Sequence, residues 1–372
     1  VVAKLAAFQQ LQVVIIATNM HLIPKYGMTV NEITDAGFQV DYRINMDVPE
    51  DSTDSRVKAM ALCLEGLAPA LAEIKPDMAL ILGDRYEMLA VAAACAVMTI
   101  PIVHIAGGEV SEGAVDDSIR HAITKLSALH LTATEPYRQR VIQMGEHPQR
   151  VINTGAIGVW NIINTPLMSA QELAESLDGF YFDPSRTLLV TYHPATLDDN
   201  ADPLDRFNQL LEALDRFPDS NVLITYPNND ARGNQIIERI EQYAAADPQR
   251  VKAVKSLGMR RYLSAVKLSA AVVGNSSSGI VEVPSLHRPT VDIGIRQRGR
   301  LAADSVIHCD DNADAIADAI AFAISPQGQQ LAATAQNPYY KPDTLDIMVN
   351  AIVNADPLAL RHKTFYDLPD KP

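Results

Sequence analysis

Short, mainly apolar runs alternate along this chain with longer stretches in which apolar residues recur at helical spacing. The short runs predict buried strands at Leu11–Ala17, Val40–Ile44, Met78–Leu82, Ile102–Ile105, Leu129–Ala133 and Val151–Asn153. The pattern lapses over Gly158–Pro184, a connecting region broken at Asn164-Thr165-Pro166, and then restarts. The second set of strands is Leu188–Tyr192, Val222–Thr225, Val251–Val254, Ala271–Val273 and Thr290–Ile293. Helical periodicity lies between the strands. In the first half it covers Arg56–Ile74, Glu87–Val97, Asp117–Leu126 and Pro136–Met144. In the second it covers Asp205–Phe217, Asn234–Ala244, Arg260–Lys267 and Ala313–Ile324. Such alternation builds a parallel, doubly wound sheet with right-handed crossovers. The expected fold class is α/β, with two Rossmann-like domains facing a central cleft. Residues 1–160 would form the first domain and 161–341 the second. The segment 342–372, with a helix at Leu345–Asn354, would return to the first.

Ligands of such sheets bind outside the carboxyl ends of the strands. The most distinctive strand end is Gly274-Asn275-Ser276-Ser277-Ser278-Gly279-Ile280-Val281-Glu282. A small-residue turn feeding a short helix, expected to stop at Pro284, suits an anion, because free amide N–H groups and the helix dipole face it. Ser276 and Ser277 add hydroxyl donors, and Glu282, one turn on, is placed to hold ribose hydroxyls. An ordinary serine-capped turn has the same local sequence. Gly83-Asp84-Arg85 offers a carboxylate and a guanidinium fork, unless the two merely pair with each other. Glu109, after Gly107-Gly108, is placed as an acid or base, whereas His104 falls within its strand and suits the core. Asp116 and Asp117 open a helix, where one of them would cap it. Arg120 and His121 stand one turn further, at pairing distance from those carboxylates. His193, in Tyr192-His193-Pro194, would face the cleft, held by the proline, and bind a phosphate or deliver a proton. Asn228 holds the matching place at the next strand end. Arg296, Arg298 and Arg300 crowd one glycine-bounded loop and need a counter-anion, unless the loop is simply solvated.

Composition narrows the chemistry. With 372 residues and 48% hydrophobic content, two cores can be filled. A net charge of −14 argues against nucleic acid or an anionic membrane as partner, so any anionic ligand must be met by local positive groups. Cys63, Cys95 and Cys309 are far apart and lack CxxC spacing, which suits reduced thiols in a cytoplasm and neither a disulfide framework nor a zinc site. No apolar run reaches membrane-spanning length and no signal peptide is read. GxGxxG after a strand, Walker A, HExxH and GxSxG are all missing, so neither a dinucleotide in that mode nor a metal is expected. A diphosphate turn, arginines, carboxylates and a histidine suit acid/base chemistry on a sugar nucleotide without a dissociable redox cofactor.

Together these motifs resemble the hydrolysing UDP-N-acetylglucosamine 2-epimerases of sialic-acid and legionaminic-acid pathways, which have the GT-B fold. The resemblance covers nearly the whole chain. It rests on Thr18-Asn19-Met20-His21-Leu22, Gly83-Asp84-Arg85-Tyr86-Glu87, the run from Gly107 through Asp116-Asp117-Ser118-Ile119-Arg120-His121 to Ser127, Tyr192-His193-Pro194, Gly274 to Glu282, and Arg296-Gln297-Arg298-Gly299-Arg300. The long run after Gly107 and the Asn-Ser-Ser-Ser-Gly turn set it apart from the non-hydrolysing relatives. Those typically carry an Asp-Ser-Gly-Gly turn and a Pro-Glu-Glu-x-Asn-Arg segment. The resemblance implies UDP held mainly by the second domain. Ser276 and Ser277 would bind the diphosphate with Arg85, His193 and Arg296 nearby. Glu282 would take the ribose, Asn228 would sit by the nucleotide, and the backbone near Leu257 would meet uracil. It also implies Asp84, Glu109, Asp116 or Asp117 as the acid/base set, with His193 beside them, no cofactor, a cytoplasmic enzyme, and a homodimer or homotetramer. The reaction would release UDP by elimination to a glycal, then hydrate it with inversion at C2, giving N-acetylmannosamine.

Two departures matter. Many relatives have an acidic residue between the His-Ile and the Gly-Gly; here it is Ala106. Some relatives act on UDP-2,4-diacetamido-2,4,6-trideoxyglucose, which keeps the sugar open. The family also begins with a strand and a Gly-x-Arg-x-(Asp/Glu)-Tyr-Gly loop not found here. The sequence starts at Val1, and a helix-like Val1–Gln10 runs straight into Leu11–Ala17. Residues ahead of Val1, or near Gln10, are therefore expected to be missing from it. A GT-B glycosyltransferase would use the same UDP site with an acceptor groove. A non-enzymatic sugar-nucleotide sensor would need the cleft and not the carboxylates.

Overall fold

The computed structural model describes residues 1–24, 27–46, 53–112, 115–194, 202–227 and 233–368. Among them twelve strands form three parallel sheets. The first lobe holds β1 (Ile16–Thr18) paired with β2 (Tyr42–Ile44), and a four-stranded sheet. That sheet runs in the order β3 (Ala79–Leu82), β4 (Ile102–Ile105), β5 (Leu129–Thr132), β6 (Val151–Asn153). The second lobe adds β7 (Leu188–Thr191), β8 (Val222–Thr225), β9 (Val251–Val254), β10 (Ala271–Gly274), β11 (Thr290–Ile293) and β12 (Val306–Cys309), in the spatial order 12-11-10-7-8-9.

β4, β5, β7, β8, β10 and β11 are buried at every position because both faces of their sheets are covered there, whereas β2 and the edge strands β3, β9 and β12 keep partly exposed positions. Side chains alternate along β7. Leu188 and Val190 join a core with Phe207, Leu210 and Ile236, while Leu189 joins another with Leu263, Val266 and Val283. In the first lobe Val103, Ile105, Leu129 and Leu131 pack against Met348, Val349 and Ile352 of the helix Thr344–Val353. The far end of the chain thus closes over the first sheet.

Several elements differ from expectation. The Leu11–Ala17 strand shrinks to Ile16–Thr18, and the Val1–Gln10 helix to Val2–Ala6. Among the described residues no strand joins β1 to β3, so the first lobe carries two parallel pieces. They share one apolar cluster, in which Ile44 beside β1, Cys63 and Leu67 of the helix Thr53–Ile74, and Ile81 of β3 pack together. The connecting region 158–184 contains two helices, Ile157–Asn164 and Ala170–Glu175. The second is announced by a capping box, in which Ser169 and Glu172 exchange backbone hydrogen bonds. β12 was not expected; it is an edge strand with a weak apolar pattern.

A buried charge cluster fixes residues 363–366 to the first lobe. Glu146, 2% exposed, accepts hydrogen bonds from Lys125 (2.6 Å), His130 (2.9 Å) and Lys363 (2.8 Å). Lys363 also donates to the carbonyls of Lys125 and Ser127. Phe365 lies beneath the Lys125 ammonium, and the Tyr366 N–H bonds the Gly145 carbonyl. Burial alone would raise the Glu146 pKa; the hydrogen bonds from His130, Lys125 and Lys363 outweigh it and take it from 4.5 to about 2. A depressed carboxylate pKa stabilises the fold above the unfolded value, and that share is lost as pH falls. Thermal melts should therefore lose stability between about pH 4.5 and pH 2. A Glu146→Gln variant should start lower and show a flatter acid limb. An unchanged limb would show that other carboxylates set acid stability.

Candidate functional site

The strand order of the second sheet dictates where its site lies. β7, β8 and β9 run outward in one direction, and β10 then returns to the other side of β7. A crevice opens at such a reversal, at the carboxyl ends of the strands. Gly274 of β10 is level with Thr191 of β7, so Asn275-Ser276 and Tyr192-His193 leave the sheet side by side. Asn275 ties them together. Its Oδ1 accepts the His193 N–H (2.7 Å), and its Nδ2 donates to the His193 carbonyl (2.8 Å). His193 is thus held by Asn275 in addition to the proline that follows it. The Asn275 carbonyl accepts from Arg296 Nη1 (3.1 Å) and Gln297 Nε2 (2.9 Å), which brings in the loop after β11. Gly274 has a φ of +142°, and a Cβ there would lie 1.9 Å from the Thr191 carbonyl oxygen, so glycine alone permits this junction.

This junction borders a cavity of about 430 Å³ between the lobes. His193, Ser276, Ser277, Glu282, Leu257 and Arg296 all face it. The first lobe contributes Met20 and Thr29. The helix after the serine turn is only Ser277–Val281, followed by a 3₁₀ turn Val283–Leu286 that holds Pro284 in its first positions. Proline therefore starts the second turn and does not stop the first. With so short a helix, side-chain donors outweigh the dipole as anion contacts. Glu282 is positioned by a relay. Tyr262 Oη donates to Ser278 Oγ (2.9 Å), which donates to Glu282 Oε2 (2.6 Å). Burial raises the Glu282 pKa, partly opposed by the Ser278 bond. A Cβ at Gly158 would come within 2.7 Å of Glu282 Oε1, so the start of the Ile157–Asn164 helix closes on this carboxylate. The Leu257 carbonyl accepts from Arg261 Nε (2.8 Å).

The carboxylates gather on the first lobe around Arg120, which is 1% exposed. Its Nε and Nη2 donate to Asp84 Oδ2 (2.9 and 2.5 Å). Its Nη1 donates to the Glu109 carbonyl (2.9 Å) and Asp117 Oδ1 (3.0 Å), and its Nη2 also reaches Ser111 Oγ (2.9 Å). Asp117 accepts the Ser111 N–H (2.7 Å) and faces His121 (3.5 Å). Asp116 opens the helix Asp116–Leu126, so the N-cap position falls to Val115 and not to either aspartate. Burial alone would raise the Asp84 pKa; Arg120, then Arg300 and His104, overcome it and hold the carboxyl below the usual range. His104 is fully buried between the Gly83 carbonyl (2.9 Å) and Thr124 Oγ1 (3.3 Å), and burial lowers its pKa to about 4. It is a neutral core histidine at pH 7.

The two groups meet through the loop after β11. Arg296 lines the cavity, and four residues on, Arg300 binds the Glu109 carboxylate of the first lobe. The counter-anion for Arg300 is therefore in the protein. Arg298 is exposed. Asp84, Glu109, Asp116 and Asp117 do not themselves line the cavity, and neither does Arg85, whose Nε donates to Glu87 (2.9 Å). Asn228 lies outside the described residues. Sequence reasoning passed over Asn275, Tyr262 and Lys255. Lys255 lines the cavity directly after β9, and the strand-end rule applied there would have found it. Among the described residues no cluster of three His, Cys, Asp or Glu side chains is arranged to hold a metal, and no helix is long and apolar enough to cross a membrane.

The UDP-N-acetylglucosamine 2-epimerase family model matches residues 3–353. A Campylobacter jejuni GDP/UDP-N,N'-diacetylbacillosamine 2-epimerase (hydrolyzing) is 38% identical over 82% of this chain and 78% of its own length. The polysialic acid biosynthesis protein P7 of Escherichia coli is 33% identical over 97% and 91%. A Neisseria meningitidis UDP-N-acetylglucosamine 2-epimerase is 34% identical over 85% and 80%. Among solved structures, a UDP-GlcNAc 2-epimerase from N. meningitidis bound to UDP-GlcNAc superimposes with a TM-score of 0.76 at 17% identity, over 95% of both chains. A Staphylococcus aureus MnaA–UDP co-structure gives 0.76 at 17%, over 98% and 94%. The two-lobed fold is that of GT-B proteins. On the match along nearly its whole length, the chain belongs to the UDP-N-acetylglucosamine 2-epimerase family.

Proposed function

We propose that this chain is a hydrolysing 2-epimerase of a UDP-linked 2-acetamido sugar. The observation that carries this reading is the interlobe cavity, walled by the serine turn, His193, Arg296 and Glu282 and joined through one loop to a cluster of carboxylates. Ser276, Ser277, His193 and Arg296 would hold the diphosphate and Glu282 the ribose. Lys255 adds a cation to the same wall. Asn228 and the backbone at Leu257 would meet the nucleotide, with Arg85 approaching from the first lobe.

In the reaction, a base takes the C2 proton while the C1–O bond breaks and its electron pair leaves with UDP. A glycal remains. Water then adds its hydroxyl at C1, and a proton returns to C2 from the other face. The C2 proton is acidic only as C1–O breaks, so positive charge at the diphosphate matters as much as the base. Asp84, held ionised by Arg120, suits the base and not the proton donor. Glu109 and Asp116 or Asp117 complete the acid/base set.

The leading substrate is UDP-GlcNAc, giving N-acetylmannosamine. A second reading is UDP-2,4-diacetamido-2,4,6-trideoxyglucose. It is favoured by Ala106 and by relatives at 38% and 35% identity that are named for the diacetyl sugar. Proton NMR in deuterium oxide with each sugar separates them. The substrate should yield free UDP and a 2-epimer carrying deuterium at C2. Silence with both sugars, with UDP still bound, would favour the transferase or sensor. Asp84→Asn and Glu109→Gln should each lower kcat by about 100-fold or more while UDP affinity holds; near-normal turnover would sink the assignment. Glu282→Gln should weaken UDP by roughly tenfold or more, the loss of a charge-assisted hydrogen bond. Calorimetry with 2′,3′-dideoxy-UDP checks the contact, since a ligand without either ribose hydroxyl should not distinguish the variant from the parent.

A further inference from the structure

Glu109 is 6% exposed, and its carboxylate is met across the lobe boundary by Arg300. Arg300 engages Oε2. Among the described residues no group donates to Oε1, and that atom is not sealed from solvent. One carboxylate oxygen is therefore anchored while the other stays available. The anchor is itself located with care. The Leu301 N–H donates to Tyr137 Oη (3.0 Å), Tyr137 Oη donates to Tyr339 Oη (2.8 Å), and Tyr339 Oη donates to the Leu301 carbonyl (2.7 Å). Both tyrosines are buried, at 2% and 0% exposure. This closed ring of hydrogen bonds fixes the backbone directly after Arg300. A further bond, from the Glu112 N–H to the Arg298 carbonyl (3.2 Å), ties the same two loops together. On the other side of Glu109, Arg120 holds its main-chain carbonyl.

A buried ion pair is a poor device for stability alone, since desolvating both charges offsets most of their attraction. Here the pair costs more still, because Arg300 Nε is buried with no acceptor among the described residues. A pair retained at that cost points to a role in orientation. We propose that Arg300 is a positioning residue: a second-lobe charge that anchors one oxygen of Glu109, presents the other to substrate, and so makes chemistry conditional on contact between the lobes. The proposal rests on Glu109 taking part in the reaction proposed above.

The test uses the full chain and whichever UDP-sugar turns over, with variants Arg300→Met, Arg300→Lys, Glu109→Gln and the double variant Glu109→Gln/Arg300→Met. Arg300→Met should cut kcat by about 100-fold or more while KM and the UDP dissociation constant stay within about twofold, and Arg300→Lys should recover part of the loss. The double variant should be no slower than Glu109→Gln alone, because both changes remove one interaction. A near-normal kcat for Arg300→Met, or additive losses in the double variant, would overturn the positioning role. Should Arg300→Met not fold, Arg300→Lys decides. It keeps the charge without the planar fork, so a kcat lowered about tenfold at unchanged KM supports the role, and a parental kcat refutes it. If Glu109→Gln itself turns over normally, the acid/base reading has failed, and not merely the role of Arg300.

Discussion

The first lobe is organised by a guanidinium that has been taken out of water and given a partner for nearly every N–H. Arg120 cannot lose its charge, so burying it obliges the surroundings to supply acceptors. They come from four places in the chain: Asp84 after β3, the Glu109 carbonyl after β4, the Ser111 hydroxyl two residues on, and Asp117 on its own helix. Three of the four acceptors lie in the loops after β3 and β4, and the fourth, Asp117, opens the helix that carries Arg120. Removing the guanidinium would leave Asp84 half-desolvated without its main counter-charge, and would release both loops together. The carboxylates are arranged as they are because one cation demands it.

The second lobe solves its positioning problem by topology. The reversal between β7 and β10 puts two strand ends next to each other, and Asn275 binds the adjoining backbone as a neighbouring strand would. His193 and the serine turn then move as one unit, and Arg296 joins them through the Asn275 carbonyl. Cavity walls drawn from β7, β10 and β11 are thereby fixed relative to each other before any ligand arrives, which reduces the ordering cost of binding.

Much of this was legible in the sequence. Ten of the eleven anticipated strands fall where short, mainly apolar segments place them, because strands with two covered faces need mostly apolar side chains. Leu11–Ala17 is the partial exception: it is apolar enough, but its first five residues find no ladder partner. β12 was illegible for the opposite reason, since an edge strand needs little apolar patterning. At the site, local rules picked out His193, Ser276, Ser277 and Arg296, which line the cavity, and the Asp117–Arg120 pairing at helical spacing. They could not show that Arg120 also reaches Asp84, or that Arg300 crosses to Glu109, because those partners are 36 and 191 residues apart. The Ala170–Glu175 helix is different: its Ser169-x-x-Glu172 box is plain in the sequence and was overlooked inside a stretch taken for a connector.

The helix Asp116–Leu126 has an anchor at each end. Asp117 and Arg120 sit at the carboxylate cluster, and Lys125 sits in the Glu146 cluster that holds Lys363. An α-helix of this length is a stiff rod of about 16 Å. A fused tag or crosslink that pulls residues 363–366 away from Gly145 would act on one end of that rod, with the carboxylate cluster around Arg120 at the other. Attachment chemistry at this strap is therefore a mechanical perturbation of the first lobe.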